Sequence, residues 1–273
     1  MPTKNITTTK TSTIVNSIFL LFLIILLVWF YSLIQFQPAN HATDADAAFR
    51  QRSLAAVGVL RARVQIEPSS NDDFLRSHKK GQQHTTITKE MGLCTATLIN
   101  GKSPFPWKGY LVLTASHCIS AGVPGSFSIE FEQGQRGPFP LTLIWQGSED
   151  EGQDYALLFL ATSEKRPTIP LGDIRKSHVG SRVVYAGWPA ALSIQWFEGT
   201  ISRMPGFSTS EFPLIYPEDH INWEHSMLVG IGGGPGASGS ALIDLDQHAI
   251  IAVLSGRIGG TTNLVFCPLP PAI

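Results

Sequence analysis

Three segments of this sequence carry side chains suited to nucleophilic chemistry at a carbonyl. The first is Leu113-Thr114-Ala115-Ser116-His117-Cys118, preceded by Cys94-Thr95-Ala96-Thr97-Leu98-Ile99. Imidazole can take and return a proton near neutral pH. Two cysteines flanking neighbouring strands can close a disulfide in an oxidising compartment, and a bridge between Cys94 and Cys118 fixes the backbone beside His117. The second segment is Gly152-Gln153-Asp154-Tyr155-Ala156-Leu157-Leu158, with Asp154 at the mouth of an apolar strand. A half-buried carboxylate there can hold one ring nitrogen of a histidine. The third is Gly234-Pro235-Gly236-Ala237-Ser238-Gly239-Ser240, a glycine-rich turn running into Ala241-Leu242-Ile243. A serine on such a turn is presented for attack, with backbone N–H groups open to a developing oxyanion.

The elements that must position these groups are short strands. Stretches 57–66, 94–99, 110–114, 127–131, 141–145, 155–161, 181–186, 194–202, 226–229, 240–244 and 249–254 combine β-favouring residues with Gly, Pro, Asn or Asp boundaries. No long helical periodicity follows residue 34. Many short antiparallel strands imply an all-β chain, either a sandwich or a pair of small barrels, since closure removes bare sheet edges. The polar connector Ser163-Glu164-Lys165-Arg166-Pro167 places the division between halves at about 162–176. A net charge of -1 gives no field to hold a nucleic-acid backbone, so no nucleic-acid partner is expected.

The N-terminus sets the compartment. Residues 14–34 are almost wholly apolar, and no charged residue lies between Lys10 and Asp44. As a helix rising 1.5 Å per residue this run is about 30 Å long, enough to cross a hydrocarbon core. Lys4 and Lys10 precede it and hold residues 1–13 in the cytoplasm, which sends the rest of the chain outward on a single-pass signal anchor. The alternative is a cleaved signal peptide, with a weak cleavage pattern at Ala45-Asp46-Ala47, and a secreted product. Residues 35–56 read as a polar tether with a short helix opening at Thr43. Residues 67–90 read as a solvated loop.

Taken together, the Thr-Ala-x-His-Cys segment, the Asp-x-Ala-Leu strand and the Gly-x-Ser-Gly turn resemble the three signatures of the trypsin-like serine peptidases, in the family's order of His, Asp, Ser. The resemblance spans about residues 57–256 and looks most like the bacterial branch of glutamyl endopeptidases and HtrA-type protease domains. It implies two six-stranded antiparallel barrels, the first over about 57–163 and the second over about 176–268, with the substrate in the cleft between them. It also implies a serine endopeptidase: Ser238 as nucleophile, His117 as general base and acid, Asp154 orienting the imidazole, and the N–H groups of Gly236 and Ser238 as oxyanion hole. Gly232, Ser255 and Gly256 are the implied substrate-binding positions, with Ser255 the counterpart of the family's serine beside the catalytic aspartate. A protein or peptide is the implied partner, and no cofactor or metal is implied. An inactive homologue that binds peptide or protein in the same cleft is the alternative.

The sequence departs from the digestive members of that family at two places. Ala237 stands where they carry the aspartate that pairs with a freed N-terminus, so activity without N-terminal processing is expected. Gly232, six residues before Ser238, leaves the implied pocket uncharged, and no His lies in 250–256, so a small or medium apolar residue is expected before the cleaved bond. Asp244, Asp246 and His248 read as a surface hairpin. Cys267 reads as a buried free thiol. Oligomeric state is not legible.

Overall fold

The computed structural model describes residues 44–66, 87–101, 105–106, 108–132, 137–189, 193–206, 223–257 and 263–270. The expected anchor at 14–34 lies outside them, and among the described residues no helix is long and apolar enough to cross a membrane. From Ala47 onward the chain forms one compact unit.

Six strands make the first sheet: β1 (Val57–Ile66), β2 (Ile87–Ile99), β3 (Gly109–Thr114), β4 (Ser128–Phe131), β5 (Phe139–Gln146) and β6 (Ala156–Ala161). They close into an antiparallel barrel in the order β1-β2-β3-β6-β5-β4. Six more, β7 (Arg182–Gly187), β8 (Gln195–Arg203), β9 (Met227–Gly230), β10 (Ala241–Asp244), β11 (Ala249–Arg257) and β12 (Asn263–Pro268), close a second barrel in the order β10-β11-β12-β9-β8-β7. The two-barrel expectation is thus met.

The strand period of two explains how the barrels join. On β7 and β10, Val183, Tyr185 and Leu242 fill the interior of the second barrel, while the alternate residues Val184, Ala241 and Ile243 belong to the apolar cluster of the first. Ile250 and Val253 of β11 join that shared cluster. Such strands are buried on both faces, which is why they read as unbroken apolar runs rather than alternating ones.

Two strands differ from the sequence reading, while the helix expected to open at Thr43 is present as α1 (Asp44–Ala55). Its composition is mostly polar and Ala-rich, but Phe49 is buried and lies 4.5 Å, centroid to centroid, from the ring of His248. β2 begins at Ile87, inside the stretch read as loop, and pairs with β1 out to Ile66. Residues 88–91 of it are exposed, so no apolar pattern marks them. β12 went unread because its central residues are all buried and Pro268 ends it, leaving no alternation to detect.

Asp244 also corrects the surface-hairpin reading. It is buried, and its carboxylate accepts from Ser177 Oγ at 2.5 Å and from the N–H groups of Asp246 at 2.9 Å and Gln247 at 3.1 Å. The turn is local, but one of the carboxylate's donors, Ser177 Oγ, comes from 67 residues away.

Candidate active site

β3 ends at Thr114, and Ala115 leads into a single helical turn, α2 (Ser116–Ser120), which carries His117. Two ties hold this turn. Ser116 Oγ donates to Gly147 O at 2.6 Å, and Cys118 forms a disulfide with Cys94 of β2, with a Cα separation of 6.2 Å. The imidazole therefore sits on backbone fixed from both sides.

Asp154 lies just before β6, buried to 6% exposure. Its Oδ1 accepts the His117 backbone N–H at 3.0 Å, and its Oδ2 lies 2.9 Å from His117 Nδ1. Ser255 Oγ donates to the same Oδ2. Three donors on one carboxylate favour its ionised form. Burial alone would raise the Asp154 carboxyl, but the hydrogen bonds from His117 and Ser255 and the histidine's charge bring it below the usual value. The counterpart holds at His117: burial opposes the cation, and the Asp154 hydrogen bond, the Asp154 charge and the more distant Glu149 outweigh it and raise the imidazole above 6.5. An ionised carboxylate can only accept, so Nδ1 carries the proton and the neutral imidazole keeps its lone pair on Nε2, the form a general base requires.

The glycine-rich turn approaches from the second barrel. Gly239 has φ of 82°, and a Cβ there would lie 2.3 Å from Thr95 O, 2.4 Å from Thr114 Oγ1 and 3.0 Å from Ala115 N. Only glycine fits both the backbone and the space. The residue after Ser238 is thus packed on the segment leading into His117. Ser238 itself is half-buried, and its carbonyl accepts the Thr95 N–H at 2.8 Å. Within the turn, Ala237 N–H donates to Gly234 O at 3.1 Å, Gly239 N–H to Leu254 O at 2.9 Å and Ser240 N–H to Ala237 O at 3.0 Å. Among the described residues, the N–H groups of Gly236 and Ser238 have no protein acceptor. Two adjacent free donors are what a developing oxyanion needs.

The remaining positions divide. The Gly232 carbonyl accepts from Tyr185 Oη at 2.7 Å, while Gly256, on β11, pairs with Val265. The side chain of Ser255 goes to Asp154. Tyr185 was not singled out in the sequence; it is wholly buried, stacks on Phe197 at 4.7 Å, and burial pushes its phenol well above the usual value, so it is a fixed donor. Cys94, Cys118 and His117 place their ligand atoms within 4.8 Å of one another, but both sulfurs are committed to the disulfide and no thiolate remains for a metal. Cys267 is buried and outside any disulfide, as expected, with Sγ 3.1 Å from Gly152 O.

Two closed barrels, with a histidine and carboxylate on the first and a serine turn on the second, are the architecture of the trypsin-like class. A family model described as a trypsin-like peptidase domain matches residues 94–253, more than half of the chain, and the chain belongs to that family. No curated protein matches it significantly in sequence. Among solved structures, the fold is similar to the HtrA-type protease AlgW. An alanine-substituted AlgW with a decapeptide superposes with a TM-score of 0.63 and 19% identity, over 81% of this chain and 62% of that one. AlgW with a decapeptide gives 0.57, 16% identity, and 81% and 63% coverage. AlgW with a tripeptide gives 0.54, 17%, and 81% and 59%. This chain therefore spans less than two thirds of the length of those proteins.

Proposed function

We propose that the protein is a serine endopeptidase that cleaves peptide bonds through an acyl-enzyme. Ser238 Oγ attacks the scissile carbonyl while His117 Nε2 takes its proton. Asp154 holds the imidazole in the Nδ1–H tautomer and stabilises the imidazolium. The N–H groups of Gly236 and Ser238 receive the oxyanion, and His117 returns the proton to the leaving amine before water repeats the sequence on the ester. The observation that carries this reading is the His117–Asp154–Ser255 network, built from two barrels around one buried carboxylate. A structural histidine would need no such three-donor clamp.

Further parts of the proposal follow from the same residues. Gly232 leaves the pocket without charge, which favours a small or medium apolar residue before the cleaved bond. Ala237 is fully buried in apolar surroundings and cannot pair with a freed amino terminus, so the enzyme works without N-terminal processing. The AlgW structures carry a decapeptide or a tripeptide, which supports a peptide as occupant of the cleft here. Residues 14–34 tether the domain outside the cytoplasm, a compartment compatible with the Cys94–Cys118 disulfide. Protease added to intact cells should reach the domain; protection would overturn this placement.

The deciding experiment is labelling with a serine-directed fluorophosphonate. Wild type should be modified at Ser238 and Ser238→Ala should not. An unlabelled but folded wild type that still retains peptide would instead identify a binding module on the peptidase fold.

A further inference from the structure

We propose that Thr95 is a positioning residue for the oxyanion turn. Reaching across from the first barrel, it holds the carbonyls of Gly236 and Ser238 and so orients the N–H groups of those two residues. The inference rests on the peptidase reading above and deepens it.

The turn's own bonds, Ala237 N–H to Gly234 O and Ser240 N–H to Ala237 O, leave the Gly236 and Ser238 carbonyls to be held by other groups. The turn contains glycines at 232, 233, 234, 236 and 239, and Gly236 and Gly239 have φ of 91° and 82°. Glycine allows these conformations but does not enforce them. The side chain of Ala237 is apolar and buried, so it gives the turn no polar anchor. The constraint on the Gly236 and Ser238 carbonyls comes from outside the turn.

Thr95 supplies it with three polar groups. It lies on β2 beside the disulfide cysteine Cys94 and is 0% exposed. Its Oγ1 donates to Gly236 O at 3.0 Å and accepts from Trp188 N–H at 2.9 Å. Its N–H donates to Ser238 O at 2.8 Å. Its own carbonyl is held by Thr114 Oγ1 at 2.8 Å, on the segment that leads to His117. Among the described residues, Thr95 Oγ1 is the side-chain group bonded to the backbone of 236–239.

These contacts fall on the peptide planes that matter. The Gly236 and Ser238 carbonyls lie on either side of the peptide that carries the Ser238 N–H. With both carbonyls turned to Thr95, that peptide has little rotational freedom, and the Gly236 N–H lies on the peptide plane next to the first anchored one, across φ and ψ of a single residue. The hydroxyl acts as donor and acceptor at once, which Ser can reproduce and Val cannot. It ties the end of β7 and the oxyanion turn to the barrel that bears His117.

If Thr95 were only packing, its loss would lower stability and leave the transition state alone. The test therefore compares full-chain wild type, Thr95→Val, Thr95→Ala and Thr95→Ser. Turnover is read on fluorescent casein and on a peptidyl anilide with alanine before the cleaved bond. Oxyanion stabilisation is read as the ionisation pH of the hemiketal formed with a carbonyl-13C-labelled peptidyl chloromethyl ketone. Loss of a whole oxyanion donor costs about 10²–10³ in kcat, and misorientation should cost about tenfold to a hundredfold. We expect that loss in Thr95→Val with KM within about twofold, a hemiketal that ionises at higher pH than in wild type, and recovery of both by Thr95→Ser.

Thr95→Ala removes the hydroxyl without adding a buried methyl and is read in the same way if the Val variant does not fold. A folded Val or Ala variant with wild-type kcat and hemiketal ionisation overturns the proposal, as does a Ser variant no better than Val. A wild type that no fluorophosphonate labels overturns the peptidase reading itself, whereas a labelled wild type with an unaffected Thr95→Val overturns only the role of Thr95.

Discussion

Ser255 Oγ and His117 Nδ1 converge on a single oxygen, Oδ2 of Asp154, from opposite barrels. The carboxylate is therefore shared between the His117 imidazole and the strand that borders the implied substrate groove. Burial disfavours its charge, and these donors restore it. The site thus depends on the barrels staying docked.

Ser255→Ala should lower kcat/KM by about tenfold, the loss of one hydrogen bond to a charged group. Asp154→Asn should be far more damaging, on the order of 10³–10⁴ in kcat, because the amide no longer enforces the Nδ1–H tautomer. The pH profile separates the two. In wild type the acidic limb of kcat/KM should lie above 6.5, the ordinary imidazole value, since Asp154 raises His117. In Asp154→Asn burial acts on the imidazole without the compensating carboxylate, and the limb should move down. A limb unchanged between wild type and Asp154→Asn would contradict the pairing.

The same pair makes stability depend on pH in a definite direction. His117 has its folded value raised above 6.5, so its contribution is complete below 6.5 and is lost as pH rises through the folded value. Asp154 has its folded value lowered below 3.8, so its contribution is complete above 3.8 and is lost as pH falls through the folded value. Both are present between 3.8 and 6.5. Urea midpoints of wild type and His117→Ala should differ most in that window and draw together on either side. Activity requires neutral imidazole, so the enzyme should be most active at a pH above the window where this pair stabilises it most. A difference that grows steadily with pH would exclude this account.

The Cys94–Cys118 disulfide closes a separation of 24 residues across β2, β3 and the helix that bears His117. Constraining a loop of that length in the unfolded chain is worth about 3 kcal/mol. The Cys94→Ala, Cys118→Ala double variant should lose about that much in urea unfolding. Because Cys118 adjoins His117 and Cys94 adjoins Thr95, it should also lose turnover under conditions where it remains folded. Equal midpoints for wild type with and without reductant, with reduction verified by thiol counting, would remove the bridge from the account.

How much of this was legible in the sequence follows the range of each interaction. The three chemical segments were readable because each is contiguous; strand spacing gave an all-β chain, a sandwich or small barrels, and the two six-stranded barrels came from the family resemblance. Thr95 was quoted only as part of a strand, since a buried threonine with three crossing partners looks like any β-branched residue until the second barrel is in place. Tyr185 was likewise one aromatic in a strand, and its bond to Gly232 O joins residues 47 apart. Ser255 was reached through family resemblance, not from its neighbours, because its partner Asp154 is 101 residues away. Asp244 was misread for the same reason: its turn is local, but Ser177, whose Oγ donates to it, is 67 residues distant.

Cys267 provides a chemical check on how the two barrels meet. It belongs to β12 of the second barrel, yet its Sγ lies 3.1 Å from Gly152 O, two residues before Asp154 of the first. Burial pushes its thiol up to about 12, with the Asp154 charge acting in the same direction. At pH 8 the thiolate that reacts with alkylating reagents is then almost absent, and the sulfur is enclosed as well. Iodoacetamide should leave Cys267 unmodified in the folded protein and modify it fully in urea, with the rate following the fraction unfolded. Cys267→Ser should fold with a modest loss of stability, since a hydroxyl can still donate to Gly152 O. Cys267→Leu should disturb the Gly152–Asp154 backbone by overpacking, at about 1–3 kcal/mol, and should lower turnover with it. Rapid alkylation of the native protein at pH 8 would mean that β12 does not pack beside the Gly152–Asp154 segment, and the docking on which the candidate site depends would have to be redrawn.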